Sequence, residues 1–239
     1  LKGDETAKQF LEAARKRIGE NPLRNALAAF YLQPGRATGS VEFAHKSFSE
    51  FLFAERLKES LESWTEPGRK GRGFRIRDEQ MHWEIYDLFG YGGWTPEVVE
   101  YLMSLVIESD EFRPIQLFQR LDDFYQRWCD GEFIDAYTET LPQRKSRQLH
   151  EQGIELGQRQ VDIYAGLNAM ILLLELNRYA RGRDDLEEIV FYPSGKSQHR
   201  KFSNQLLRVI NYSNSITTGV FNKLLKPYLG NANLNGAYL

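Results

Sequence analysis

Apolar residues recur every three or four positions over most of the chain, and this spacing predicts a mainly helical protein. Beyond the first third of the chain come three amphipathic segments, the second of which starts with Thr95 as N-cap. A longer helical pattern covers 141–179 and is broken near Gly153 or Gly157. Its stretch 165–176 is apolar almost all round, which predicts a central helix with neighbours on several sides.

The N-terminal part of the chain predicts a helix, a β-hairpin and a second helix. The first helix covers 4–19, with apolar residues on one side and charges on the other. Two short apolar or alternating runs, 28–33 and 41–45, flank the turn-forming stretch 34–39 and predict the hairpin. The second helix follows directly and covers about 48–61.

The C-terminal part contains one short run of β type at 189–192 and two further helical segments, about 201–212 and 217–226. The tail fits neither the spacing of a helix face nor that of a strand face, because its leucines are five positions apart. One helix face or one strand face cannot bury residues at that spacing. The leucines concerned are Leu229, Leu234 and Leu239. Apart from the hairpin and this tail, the predicted fold class is mainly α, a helical bundle or array.

Composition narrows the class of protein. The 239 residues are 41% hydrophobic and 13% aromatic, which is typical of a globular chain that buries a sizeable core. A net charge of −2 gives no general attraction to nucleic acid or to anionic membranes. The single cysteine, Cys129, excludes an intramolecular disulfide and a cysteine-based zinc site, which fits a cytoplasmic protein.

The length of the apolar runs argues against a membrane span, and both ends of the chain suggest a longer polypeptide. The longest wholly apolar run is 169–174, far shorter than the roughly 20 residues that cross a bilayer. The chain opens at Leu1 without a methionine and stops at Leu239 inside what reads as a repeat. We therefore expect a segment of a larger protein.

The sequence PSGKS at 193–197 imitates part of a phosphate-binding loop. The full pattern, GxxxxGK[ST], requires a glycine at the position that Val190 occupies. Without that glycine the tight turn around a phosphate is not specified. We therefore interpret 193–197 as an ordinary loop.

A basic loop at 69–77 is a candidate for contacts to phosphates of nucleic acid. Three acids beside it, Glu66, Asp78 and Glu79, offset part of its charge, which favours a solvated face and makes nucleic acid the less favoured partner. Its basic residues are Arg69, Lys70, Arg72, Arg75 and Arg77.

The chain offers no positive case for catalysis or for a metal site. The sequence HE at 150–151 does not continue as HExxH, and His82 is expected to be a packing or surface residue. No carboxylate pair and no Ser/His/Asp arrangement stands out. We therefore predict no catalytic residues and no metal ligands in this chain.

His45 is the one residue with a candidate binding role. Ser47 and Glu50 form an S-x-x-E capping box, which explains them structurally. His45 shares a strand face with Val41 and Phe43, just ahead of the helix, so the positive helix end favours a neutral imidazole. Such a histidine either donates an N–H to an anion at that end or is a satisfied structural residue.

This stretch resembles the end of the winged-helix domain in NACHT-type STAND NTPases. The family pattern, roughly F-x-H-x-S-F-x-E-F-x-A-A, matches in order except that Phe53 stands where a small residue is usual. The matching residues are Phe43, His45, Ser47, Phe48, Glu50, Phe51 and Ala54. The resemblance implies that His45 contacts the β-phosphate of bound ADP and helps hold a closed, inactive state.

The C-terminal stretch resembles the start of a pentapeptide-repeat domain, whose units read A-(D/N)-L-x-x. Residues 232–236 form a full unit, 237–239 begin another, and 227–231 form a degenerate leader. In that fold each unit makes one side of a square β-helix with its leucine inward, which accounts for the five-residue spacing. A NACHT module followed by a helical region and such repeats is similar to a cyanobacterial arrangement.

Together the two resemblances imply three parts: the end of a winged-helix domain at 1–64, a helical domain at 65–226 and truncated pentapeptide repeats at 227–239. The expected function is regulatory, coupling nucleotide state to a repeat domain that binds a protein partner, in bacterial signalling or defence. The Walker motifs of the family are absent here, so we expect ADP or ATP with Mg²⁺ to bind only together with an upstream NTPase domain in cis. Oligomerisation of the longer protein is a further expectation. The alternative is a winged-helix and helical module that binds nucleic acid through 69–77.

Overall fold

The computed structural model describes residues 32–34, 41–43, 46–135, 139–195 and 203–230. The chain divides into two compact units, Leu1–Ala54 and Glu55–Leu239. The predicted helix at 4–19 and the repeat units from residue 232 onward lie outside the described residues. Within the described ranges, no helix combines the length and the apolar character needed to cross a membrane.

The first unit contains two short strands and the beginning of a helix. Strands β1 (Leu32–Pro34) and β2 (Val41–Phe43) pair antiparallel, with Leu32 opposite Phe43. Helix α1 runs over Lys46–Thr65, so it starts earlier and ends later than the predicted 48–61. The first strand overlaps the predicted run 28–33 in two residues and includes Pro34 of the predicted turn, and the second lies within the predicted run 41–45. The hairpin of a winged helix stays a prediction.

The second unit is helical, as the spacing of apolar residues predicts. Two single 3₁₀ turns, Arg69–Gly71 and Asp184–Leu186, lie between its α-helices. After α1 these helices are α2 (Asp78–Phe89), α3 (Pro96–Ile107), α4 (Pro114–Cys129), α5 (Leu141–Glu151), α6 (Gln158–Ala180), α7 (Gln205–Ser213) and α8 (Val220–Leu229).

Local signals set several of these boundaries. Thr95 caps α3 as predicted, since its hydroxyl accepts a hydrogen bond from the Val98 N–H at 3.3 Å. The predicted break in the 141–179 pattern is confirmed, and Gly153 adopts a left-handed conformation there (φ 78°) that favours glycine. Helix α8 continues to Leu229, through Pro227, so the first residues of the predicted repeat leader are helical.

The predicted β-type run at 189–192 forms no strand. Its main-chain N–H groups bond to partners other than a strand. The Ile189 N–H donates to the Leu186 carbonyl at 3.0 Å. The Phe191 N–H donates to the Asn177 side-chain oxygen, also at 3.0 Å. This segment is therefore held by a turn and by one side chain of α6, not by a neighbouring strand.

Helix α6 is the centre of the second unit, as predicted. Every residue over 165–177 is buried, and the helix packs against α2, α4, α5 and α8. The closest approach is at Gly166, where an added Cβ would lie only 2.0 Å from the indole ring of Trp128. Trp128 of α4 therefore lies directly on the backbone of α6, a position that requires glycine.

Replacing Gly166 with Ala should destabilise the protein even though alanine is the better helix former. The methyl group would push Trp128 out of place, and overpacking of this kind costs about 1–3 kcal/mol. Urea unfolding measures the change. The matched control is Gly92→Ala, where an added Cβ meets no atom within 4 Å. Equal stability of the two variants would contradict the packing described.

Candidate functional site

The predicted nucleotide contact, His45, lies outside the described residues. The described helix starts next to it, at Lys46, so Ser47 belongs to the first turn rather than preceding the helix. Lys46 Nζ pairs with the Glu50 carboxylate at 3.0 Å. The role of His45 toward an anion therefore stays a prediction.

The part of PSGKS that is described forms a packed turn. The Pro193 carbonyl accepts a hydrogen bond from the Tyr125 hydroxyl at 3.1 Å, and Ser194 is buried. Gly195 closes the turn with a left-handed backbone (φ 80°) and donates to the Tyr192 carbonyl at 2.8 Å. Lys196 and Ser197 lie outside the described residues. These contacts hold the segment against α4, which agrees with its interpretation as a loop.

The basic loop is an ordered reversal of the chain; we call residues 66–77 the arginine loop. Its two arms are joined by main-chain hydrogen bonds, from the Arg75 N–H to the Glu66 carbonyl at 2.9 Å and from the Gly68 N–H to the Gly73 carbonyl at 3.0 Å. Gly71 and Gly73 supply the left-handed conformations that the reversal needs. The side chains of Arg69, Arg72, Arg75 and Arg77 are exposed.

A buried arginine, Arg120 of α4, fixes both ends of the arginine loop. Its guanidinium donates to the main-chain carbonyls of Trp64 and Ile76, which lie before and within the loop. It also binds the Asp78 carboxylate at 2.6 Å and lies 4.4 Å from the centre of the Phe74 ring. Arg120 itself is 7% exposed, so a buried cation satisfied by loop atoms holds the loop to the bundle.

The least expected polar group is Asp162, in the second turn of α6, which is 1% exposed. One carboxylate oxygen accepts a hydrogen bond from the Tyr86 hydroxyl of α2 at 2.6 Å. The other accepts from the Tyr212 hydroxyl of α7 at 2.8 Å and from the Trp128 indole N–H of α4 at 3.1 Å. One buried side chain thus joins three helices to α6; we call these four residues the Asp162 cluster.

The electrostatics of the Asp162 cluster follow from burial without a cation. Within the described residues no ion pair involves Asp162, and burial raises its pKa to about 6, an effect that the three donors partly offset. Burial, together with the nearby carboxylate, also raises the pKa values of Tyr86 and Tyr212 well above the usual range. At neutral pH both phenols are therefore hydrogen-bond donors to an ionised carboxylate.

Two asparagines of α6 play a similar role elsewhere on the helix. Asn168 donates to the carbonyls of Phe89 and Gly92, at 2.8 and 2.7 Å, and accepts from the Trp94 N–H at 3.0 Å. It therefore fixes the connection between α2 and α3. Asn177 binds the Phe191 N–H, as described above. Each of these buried polar side chains of α6 therefore forms hydrogen bonds with a different part of the unit.

The described residues show no activated catalytic group. No three or more His, Cys, Asp or Glu side chains among them are placed to hold a metal ion. Burial raises the pKa of Cys129 to about 12, so its thiol is protonated and weakly nucleophilic near pH 7. His82 lies between Phe124 and Phe133, and burial lowers its pKa.

No family model, no curated protein and no solved structure matches this chain. The likeness to the NACHT and pentapeptide-repeat families therefore stays an expectation based on the residues quoted above.

Sequence reasoning missed the Asp162 cluster, because Asp162 lies before the nearly all-apolar stretch 165–176. It stands near the polar start of α6, where an acid is expected from the helix dipole and gives no sign of burial. The partners themselves could not be inferred, because Tyr86 is 76 positions away in the chain and Tyr212 is 50.

Replacing Asp162 with Asn should remove a pH dependence of stability. Since the pKa of Asp162 rises from 3.8 to about 6 on folding, its contribution is most favourable below pH 3.8 and is lost as the pH rises through about 6. Between about pH 4 and 7 the wild type should lose up to about 3 kcal/mol of unfolding free energy relative to the variant. Chemical denaturation at each pH measures this. The control, Asp110→Asn, changes an exposed acid, and parallel curves for wild type and Asp162→Asn would contradict the prediction.

Proposed function

We propose that this chain is a non-catalytic regulatory part of a NACHT-type STAND NTPase. In this proposal it couples the nucleotide state of an upstream NTPase domain to a C-terminal pentapeptide-repeat domain that binds a protein partner. The observation that supports coupling most directly is the Asp162 cluster. Through one carboxylate, a helix near the start of the second unit and a helix near its end share the same contact.

The chemistry of the cluster suits transmission better than simple packing does. Hydrogen bonds to a buried charge are directional, and a buried carboxylate that loses a donor is left partly unsatisfied at a cost in free energy. Displacing Tyr212 of α7 would therefore destabilise the arrangement that also contains Tyr86 of α2. In this proposal the cluster switches between discrete arrangements, as a coupling element requires.

The order of elements along the chain fits the same proposal. Helix α1 contains the boundary between the two units, so the chain passes from one to the other within a helix. Helix α8 follows α7 and ends at Leu229, immediately before the stretch that resembles pentapeptide repeats. A change at the predicted nucleotide contact, His45, would enter at the first end of the helical domain and leave at the second.

Removing one hydroxyl tests the coupling in this chain alone. Tyr212→Phe should speed amide hydrogen exchange in α7 and also in α2 around Tyr86, which is far from Tyr212 along the chain. We expect at least about threefold faster exchange in both helices, since removing a hydrogen bond to a charged group costs about 1.5 kcal/mol or more. The control is Tyr164→Phe, a half-buried tyrosine of α6. Faster exchange confined to α7 would count against transmission through Asp162.

The nucleotide part of the proposal is tested in the polypeptide that also carries the upstream domain. His45→Ala should release bound ADP about tenfold faster or more and raise basal activity, because a donor to the β-phosphate is removed, while His150→Ala should change neither. Dissociation of a fluorescent ADP analogue gives the rate. Unchanged ADP retention, or an upstream sequence without GxxxxGK[ST] after a strand, would refute the assignment to this family.

A further inference from the structure

The arginine loop concentrates positive charge that the neighbouring acids neutralise only in part. Of the three acids beside it, Asp78 is engaged by the buried Arg120 at 2.6 Å and Glu66 by Arg75 at 2.7 Å. Among the described residues, Arg69, Arg72 and Arg77 form no ion pair, and all three are exposed. The sequence favours a solvated charge run because the acids lie close by. In the structure Glu66 neutralises one cation of the loop, Arg75, whereas Asp78 is engaged by Arg120, outside the loop.

The loop is also preorganised, which matters for binding. The main-chain bonds between its arms and the three anchors on Arg120 fix its backbone before any partner arrives. A flexible loop would lose conformational entropy on binding, whereas this loop loses only side-chain freedom. Its exposed glycines, Gly71 and Gly73, carry no side chains that would keep a partner away from the backbone.

The side chains identify the class of partner. Guanidinium groups match phosphate oxygens with two parallel hydrogen bonds. The loop presents four exposed arginines, Arg69, Arg72, Arg75 and Arg77. The apolar residues of the loop, Phe74 and Ile76, are half-buried, and Arg120 covers the Phe74 ring. Arg120 therefore occupies one face of the Phe74 ring. The exposed side chains of the loop are mostly arginines rather than the large apolar or aromatic residues that insert into membranes or stack on single-stranded bases.

We infer that the arginine loop binds the phosphate backbone of duplex nucleic acid, without regard to base sequence. A duplex carries about one negative charge per 1.7 Å of its axis, so several arginines of one loop can contact phosphates at once. The overall charge of the chain is −2, so the attraction to phosphate is attributed to this loop and not to the net charge. This inference is independent of the proposed coupling function, since it uses neither His45 nor the Asp162 cluster.

The test compares two triple variants with the same change in net charge. Arg69→Gln, Arg72→Gln and Arg77→Gln remove the unpaired cations of the loop. Arg159→Gln, Lys223→Gln and Lys226→Gln remove three exposed cations on α6 and α8. Fluorescence anisotropy of a labelled duplex of arbitrary sequence, about 20 base pairs long, gives the affinity between about 50 and 200 mM salt. Thermal melting checks that both variants fold.

The loop variant should bind at least tenfold more weakly at the lowest salt. The slope of log K against log salt should fall by about 2–3, since each phosphate that a cation neutralises contributes about 0.9 to that slope. The control variant should bind like the wild type. No measurable binding by the wild type, or equal weakening in both variants, would overturn the inference. Tighter binding of a single strand than of the duplex would also overturn the inference. So would polyglutamate or phosphatidylserine vesicles that displace the labelled duplex as well as unlabelled duplex does.

Discussion

A carboxylate buried without a cation is the constraint on which the helical unit depends. Removing the Asp162 side chain from water is costly, and only a full set of donors offsets that cost. Tyr86, Trp128 and Tyr212 supply it from three helices, so the relative positions of α2, α4 and α7 are fixed to within hydrogen-bonding distance. Trp128 can reach Asp162 only because Gly166, one turn further along α6, leaves room for its ring.

A buried group of the opposite charge, Arg120, plays a corresponding role nearer the start of α4. Arg120 is buried, as Tyr86 and Trp128 are, but it meets a carboxylate, Asp78, and two main-chain carbonyls. Helix α4 therefore binds the start of α2 through Arg120 and the start of α6 through Trp128. Buried charges of both signs add geometric specificity that apolar packing alone would not provide, since hydrogen bonds fix direction as well as distance.

Local patterns predicted the helices well. The prediction failed where the structure of a segment depends on another element. The Thr95 cap, the break at Gly153 and the all-round apolar character of α6 are properties of neighbouring residues, which a sequence displays directly. The run at 189–192 was misjudged because its β propensity is outweighed by Asn177, a residue of a different element. Pro227 favours a helix end, yet α8 continues two residues beyond it, although proline lacks the N–H for the main-chain bond that this position would otherwise make.

The candidate sites were harder to predict because they depend on long-range partners. The charges of the arginine loop are visible in sequence, but Arg120, which engages Asp78 and so leaves the loop cationic, is more than 40 positions away. Asp162 lies at the polar start of α6, before the nearly all-apolar stretch, so neither its burial nor its donors are visible in sequence. A sequence can show which groups need partners, and only the fold decides which partners they find.

Helix α2 links the two candidate sites physically. Asp78, at its first position, is held by Arg120 at the base of the arginine loop, and Tyr86, two turns later, is held by Asp162. The two contacts are about 12 Å apart along one rigid helix, at about 1.5 Å per residue. A change at α7 would act on this helix through Asp162, and a change in the position of the helix would alter the contact between Asp78 and Arg120. Binding at the preorganised loop would be coupled to α7 only for a partner whose affinity differs between two positions of α2, and that coupling would then be reciprocal.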